Sequence, residues 1–190
     1  MGRPKMLLPW GETSVLGHFW QVWQELGAAH VAAVFPAGNP ALELEMDRIG
    51  LPADNRIANP DPGRGMFSSI QCAARWRGWR AGLTHWAIVL GDQPHLQSST
   101  LRALLAFASG HSGVICQPSR SGRARHPVLL PREEFQRLAQ TSVETLKQFL
   151  EQREVNLVEI EDPGLDLDID RPEDCQKAQQ LFFHRNSTTA

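Results

Sequence analysis

The stretch "HWAIVLGDQP", His85 to Pro94, decides the fold. Five apolar residues beginning at Trp86 show no polar alternation, which predicts a strand buried on both faces of a sheet. The strand then gives way to Gly91 and Asp92, so a carboxylate is delivered to its carboxyl edge.

Outward from this stretch, "HVAAVFP" (30–36), "GVICQP" (113–118) and "VNLVEI" (155–160) read as further apolar strands, and "NRIANP" (55–60) as a shorter one. "HPVLLP" (126–131) is expected near a sheet edge, because Pro127 cannot donate to a ladder. Between them lie helical patterns. Val15, Phe19, Val22, Trp23 and Leu26 recur at spacings of three and four, with Thr13 or Ser14 to cap and Gly27 to stop the helix. Further helices are predicted over 41–49, 68–79, 99–107, 132–139 and 143–152, and from Pro172 to about Phe182. Such alternation predicts an α/β layered fold with a mostly parallel sheet, whose ligands sit beyond the carboxyl ends of the strands.

The 190 residues suit one domain, expected over 1–183 with a frayed tail at 184–190. A net charge of −2 supplies no basic field for nucleic acid, and Arg75, Arg77 and Arg80 around Trp76 and Trp79 read as one solvated helical stretch. No apolar run reaches membrane-span length, and the first residues lack the apolar core expected of a signal peptide. Cys72, Cys116 and Cys175 are too scattered for a disulfide framework, so a reducing cytoplasm is the expected setting.

Four stretches carry candidate chemistry, each with a plainer alternative. Asp92 either holds a metal ion or caps the following turn. In "LDLDID" (165–170), extended geometry would set Asp166, Asp168 and Asp170 on one face, either open to water or neutralised by a cation of the Mg²⁺ type. Glu173 and Asp174 answer more simply to the dipole of the helix they begin. "DPGRGMFSSI" (61–70) is either an anion-cradling turn or an ordinary helix start capped by Ser68. Arg3 and Lys5 flank Pro4 near the chain start, where a lysine is usually a solvated charge. His126 is either a ligand contact or a structural histidine.

Taken in order, "MGRPKMLLPWG" (1–11), "NPDPGRGMFSSI" (59–70), "LGDQP" (90–94), "RHPVLLP" (125–131) and "DPGLDLDIDRPED" (162–174) resemble the MobA-like nucleotidyltransferases that attach a nucleoside monophosphate to molybdenum cofactor. The likeness is greatest to the cytidylyltransferase branch. It implies a Rossmann-like three-layer α/β/α fold, CTP or GTP as donor and a molybdopterin-type acceptor. Also implied is Mg²⁺-dependent attack of the acceptor's terminal phosphate on the α-phosphorus, with release of pyrophosphate. By the same resemblance Lys5, Asp92 and Asp170 form the catalytic set, with Asp92 and Asp170 on the metal. Arg3, Lys5, Gly65, Met66, Ser68 and Gly91 would bind nucleotide, and His126 and Pro127 would lie on the acceptor side.

Two departures stand out. Arg125 precedes the His-Pro pair where the family usually has glycine. Family members also begin with an apolar strand and a glycine-rich loop ending in Arg-Met-Gly, whereas this sequence opens on its Met-Gly. Met1 is therefore expected to be an internal methionine, and the first strand to be missing from the sheet. A slot in the core would follow, lined by unpaired backbone groups at roughly 1–3 kcal/mol each. The rival readings are a sugar-phosphate nucleotidyltransferase, and a non-catalytic remnant that binds the cofactor or a molybdoenzyme.

Overall fold

The computed structural model describes residues 4–186. Arg3 and the part of the expected tail at 187–190 lie outside the described residues.

After a short turn at Lys5–Leu7, strands β1 (Pro9–Trp10) and β2 (Thr13–Ser14) form a small hairpin leading into α1 (Val15–Glu25). The Ser14 hydroxyl accepts from the Gly17 amide at 3.0 Å, satisfying one of the free donors at the α1 start. There follow β3 (Ala33–Pro36), α2 (Pro40–Arg48), β4 (Arg56–Asn59), α3 (Met66–Arg75) and β5 (His85–Ile88). The second half contains α4 (Ser98–Gly110), β6 (Ile115–Arg120), β7 (Arg123–Ala124), β8 (Val128–Pro131), α5 (Arg132–Arg137), α6 (Leu146–Glu151), β9 (Val155–Glu159) and α7 (Pro172–Asn186).

β8 shows the three layers. Val128 and Leu130 pack into one cluster with Phe67 and Ile70 of α3, Phe135 of α5 and Phe149 of α6, while Leu129 packs on the opposite side with Leu104 and Ala108 of α4. Successive side chains point to opposite faces, so a continuously apolar strand needs helices on both.

Several expectations require correction. β8 is not near an edge; it lies between β5 and β6 with all four residues buried. Pro127 precedes the ladder and so removes no bond from it. β8 also runs antiparallel to both neighbours, because the short return from β6 through β7 cannot make a crossover. Parallel pairing holds for β3 with β4 and for β6 with β9, so the sheet is mixed. α3 starts at Met66, two residues before the expected Ser68, and stops at Arg75, beyond which Trp76 turns extended. The segment 165–170 forms no strand: a 3-10 turn occupies Pro163–Asp166. α7 continues to Asn186, through the first part of the expected tail.

The largest difference concerns β5. Its residues are half-buried rather than buried, because β5 pairs with β8 on one side only. β3 likewise pairs only with β4, and the two edges face an apolar cavity of about 600 Å³ lined by Val34 and Phe35 from one side and Trp86 and Ile88 from the other. The sheet is thus divided in two among the described residues, with the cavity between β3 and β5.

Candidate active site

The site forms where the chain leaves β5. Val89 and Leu90 carry it past the last paired residue to Gly91 and Asp92. Gly91 packs closely on the Met6 side chain, which would have to move aside for a Cβ at this position. Met6 belongs to the Lys5–Leu7 turn, held by the Leu7 amide donating to the Pro4 carbonyl at 3.0 Å and the Leu8 amide to the Lys5 carbonyl at 3.0 Å. That contact sets Lys5 beside Asp92.

The segment after the Pro163–Asp166 turn closes the site from the far end of the chain. The Ile169 amide donates to the Asp92 carbonyl at 2.9 Å, and Gln93 donates through Nε2 to Asp168 at 2.8 Å. Asp170 is thereby brought to Lys5, whose Nζ donates to its Oδ1 at 2.7 Å and lies 3.7 Å from Asp92 Oδ2. One ammonium therefore stands between two carboxylates contributed by distant segments.

The electrostatics differ between the two acids. Burial pushes the Asp92 carboxyl up from its ordinary value, and the nearby Asp168 charge adds to this while Lys5 opposes it. The exposed Asp170 is held below its ordinary value by the Lys5 hydrogen bond and charge. Burial works against the Lys5 ammonium, yet the Asp170 hydrogen bond and the charges of Asp92, Asp170 and Asp168 outweigh it, and its pKa is raised.

A divalent cation fits this donor set. Asp92 Oδ1 is buried with no hydrogen-bond partner among the described residues, which leaves a hard oxygen free to coordinate. No group of three or more His, Cys, Asp or Glu suited to a metal occurs among the described residues. An ion of the Mg²⁺ type needs no such cage, since it is commonly held by one or two carboxylates with water and substrate phosphates completing the shell.

The three aspartates of 165–170 do not share one cation. Leu165 and Ile169 are buried and the carboxylates face outward as the alternation predicts, but each has its own partner: Arg120 and Arg125 for Asp166, Gln93 for Asp168, Lys5 for Asp170. His126 sits at the end of β5, hydrogen-bonded to the Ile88 backbone and within electrostatic reach of Asp92 and Asp168. Burial lowers its pKa against these opposing influences, and its Nδ1 is buried with no partner among the described residues. Pro127 beside it is buried.

The 61–70 loop meets the cavity from the β4 side. Gly65 has φ +84°, a conformation that favours glycine, and Met66 beyond it is 53% exposed at the cavity lining. Ser68 is buried: its hydroxyl donates to the Gly65 carbonyl at 2.7 Å and accepts from Asn59 Nδ2 at 2.8 Å. It braces the loop, and Ser69 lines the cavity instead. Lys5, Gly91, Asp92 and Met66 thus border one cavity, while Ser68 stands behind it. Sequence reasoning passed over Asn59 and Gln93, which hold the loops in place; Asn59, a polar residue ending an apolar strand, was the readable signal.

A three-layer α/β domain thus sets a lysine between two aspartates just beyond β5. The chain belongs to the MobA-like NTP transferase family, whose domain matches residues 1–157. It is 25% identical over 183 residues to the molybdenum cofactor cytidylyltransferase of Escherichia coli strain K12, covering 96% of this chain and 90% of that protein. Among solved structures, the Rv0371c homologue from Mycobacterium sp. strain JC1 superposes with a TM-score of 0.76 at 22% identity, covering 97% of this chain and 91% of that one. A 4-diphosphocytidyl-2C-methyl-D-erythritol synthase gives 0.71 at 16% identity, with 94% of each chain covered. Rv0371c of Mycobacterium tuberculosis H37Rv, solved in complex with manganese, gives 0.69 at 23% identity, covering 94% of this chain and 93% of that one. No helix among the described residues is long and apolar enough to cross a membrane.

Proposed function

We propose that this chain transfers CMP from CTP to the terminal phosphate of a molybdopterin-type acceptor in a reducing cytoplasm, with residues 1–183 acting as one unit. The observation that carries the reading is Lys5 held between Asp92 and Asp170 at the mouth of the cavity. An acceptor phosphate oxygen attacks the α-phosphorus of the donor, the bond to the β-phosphate breaks, and pyrophosphate leaves. Such transfer asks the protein chiefly for positioning and charge neutralisation. Lys5 supplies a cation to the donor phosphates, and Asp92 and Asp170 would hold Mg²⁺. When bound, the ion neutralises charge on the triphosphate and the leaving pyrophosphate.

Gly65 and Met66 border the space for the nucleotide, and His126 and Pro127 the acceptor side. The relationship to the cytidylyltransferase favours cytosine, with GTP as the alternative donor. Pyrophosphate release with CTP and GTP, against molybdopterin and a set of sugar phosphates, tests the reading. Turnover with CTP and molybdopterin is expected; turnover with sugar phosphates alone would overturn it. The open slot beside β5 favours one further reading, a non-catalytic protein that binds cofactor or a molybdoenzyme. Molybdopterin binding without any CTP affinity in Mg²⁺ would support that reading instead.

A further inference from the structure

We propose that Arg125 and Asp166 form a positioning clamp that fixes His126, and through it the acceptor side of the site, against the segment carrying Asp168 and Asp170. The inference rests on the acceptor-side reading of His126 given above.

Asp166 spends both carboxylate oxygens on arginines. Oδ1 accepts from Arg125 Nε at 3.0 Å and Nη2 at 2.6 Å, and Oδ2 accepts from Arg120 Nη1. The two arginines come from opposite sides of the β6–β7 hairpin, so one carboxylate ties the hairpin to the 163–170 segment. Residue 125 is pinned along its backbone as well: its amide donates to the Pro118 carbonyl at 2.8 Å, and its carbonyl accepts from Gln117 Nε2 at 3.1 Å. The next residue is His126. On the other side of the clamp, the turn ending at Asp166 is anchored where Asp162 accepts from the Gly164 amide at 2.9 Å and from the Thr100 hydroxyl at 2.7 Å. Four residues further on, Asp170 reaches Lys5.

The side chains of Arg125 and Asp166 are 24% and 36% exposed. A partly exposed ion pair contributes little to stability, whereas a guanidinium fork on a carboxylate fixes relative orientation. A glycine at 125, usual in the resembling family, has no side chain with which to make this tether. The acceptor-side loop of this chain therefore gains its placement from a side chain of its own.

The test compares Arg125→Gly, Arg125→Lys and Asp166→Asn with the unaltered protein. The imidazole NMR signals of His126 are recorded without substrate, and Michaelis constants are measured separately for CTP and for molybdopterin. Arg125→Gly and Asp166→Asn should shift the His126 signals and raise the KM for molybdopterin roughly tenfold, with the KM for CTP changed less than about twofold. Arg125→Lys, which keeps the charge but loses the planar fork, should recover part of both effects. Unchanged His126 signals, or a parallel rise of both constants, would overturn the clamp. Lack of CTP turnover by the unaltered protein would count against the proposed function instead, because the NMR comparison needs no substrate. Should Arg125→Gly fail to fold, Asp166→Asn and Arg125→Lys decide the matter by the same readings.

Discussion

Val128, Leu129 and Leu130 of β8 and Val34, Phe35, Trp86 and Ile88 of β3 and β5 are equally apolar, yet only the first set is sealed from solvent. β8 has a strand on either side and helices on both faces. Among the described residues, β3 and β5 each pair on one side and have no strand partner on the edge facing the cavity. An apolar sequence states that a segment is suited to burial; burial itself needs neighbours in the hydrogen-bonding direction as well as above and below. The candidate site lies on the seam between these regions, since Asp92 continues β5 and Lys5 and Met6 border the cavity.

The contrast is most directly broken by truncation. Phe149 is fully buried in the closed region, and Phe149→Ala should cost about 3–5 kcal/mol in denaturant unfolding. Phe35→Ala should cost less, about 1–2 kcal/mol, because its half-buried ring packs on the Leu16 and Met46 cluster but also borders the cavity. Equal losses would mean that the cavity is closed in solution.

Next in size are the charges on the seam. Asp92→Asn should lower turnover on the order of 100-fold, measured as pyrophosphate release at saturating Mg²⁺, if its free oxygen serves the reacting phosphates. Lys5→Gln should raise the KM for CTP roughly tenfold and spare the KM for molybdopterin, the reverse of the pattern set by the Arg125 clamp. Intact turnover in Asp92→Asn would remove Asp92 from the metal.

The smallest effect concerns pH. The folded Asp170 has a depressed pKa, so its contact with Lys5 is fully present above the ordinary carboxylate range and is lost as pH falls through the depressed value. The raised Lys5 pKa places the opposite limit above the ordinary lysine range, where the contact is lost as pH rises. Between those limits the pair stays charged. Asp92 shifts the other way, so its burial opposes the charged form and acidification relieves that opposition. Carboxyl carbon NMR titration should show Asp170 titrating below Asp92; the reverse order would break the assignment of Lys5 to Asp170.

Much of the molecule was legible in advance. Ser14 as a cap, the apolar face of α1, and Asp92 at the end of β5 all follow from local rules: capping, helical period, and a polar residue ending an apolar run. Misreadings arose where the partner was distant. Pro127 suggested an edge, although it merely precedes an interior strand. Ser68 suggested a cap, although its hydroxyl folds back on the loop from within the helix. Asp166, Asp168 and Asp170 suggested one cluster, because alternation fixes the face of a residue and leaves its partner open.

By itself the sequence determined the elements, the α/β layering and the family, because periodicity, turn residues and ordered motifs are local properties of a chain. Only the tertiary structure decided that Lys5 stands between Asp92 and Asp170, that Asp166 belongs to arginines, and that β5 is a cavity wall. Each of these depends on groups far apart along the chain meeting at one place, where the nearest opposite charge or the missing neighbour settles what a side chain does.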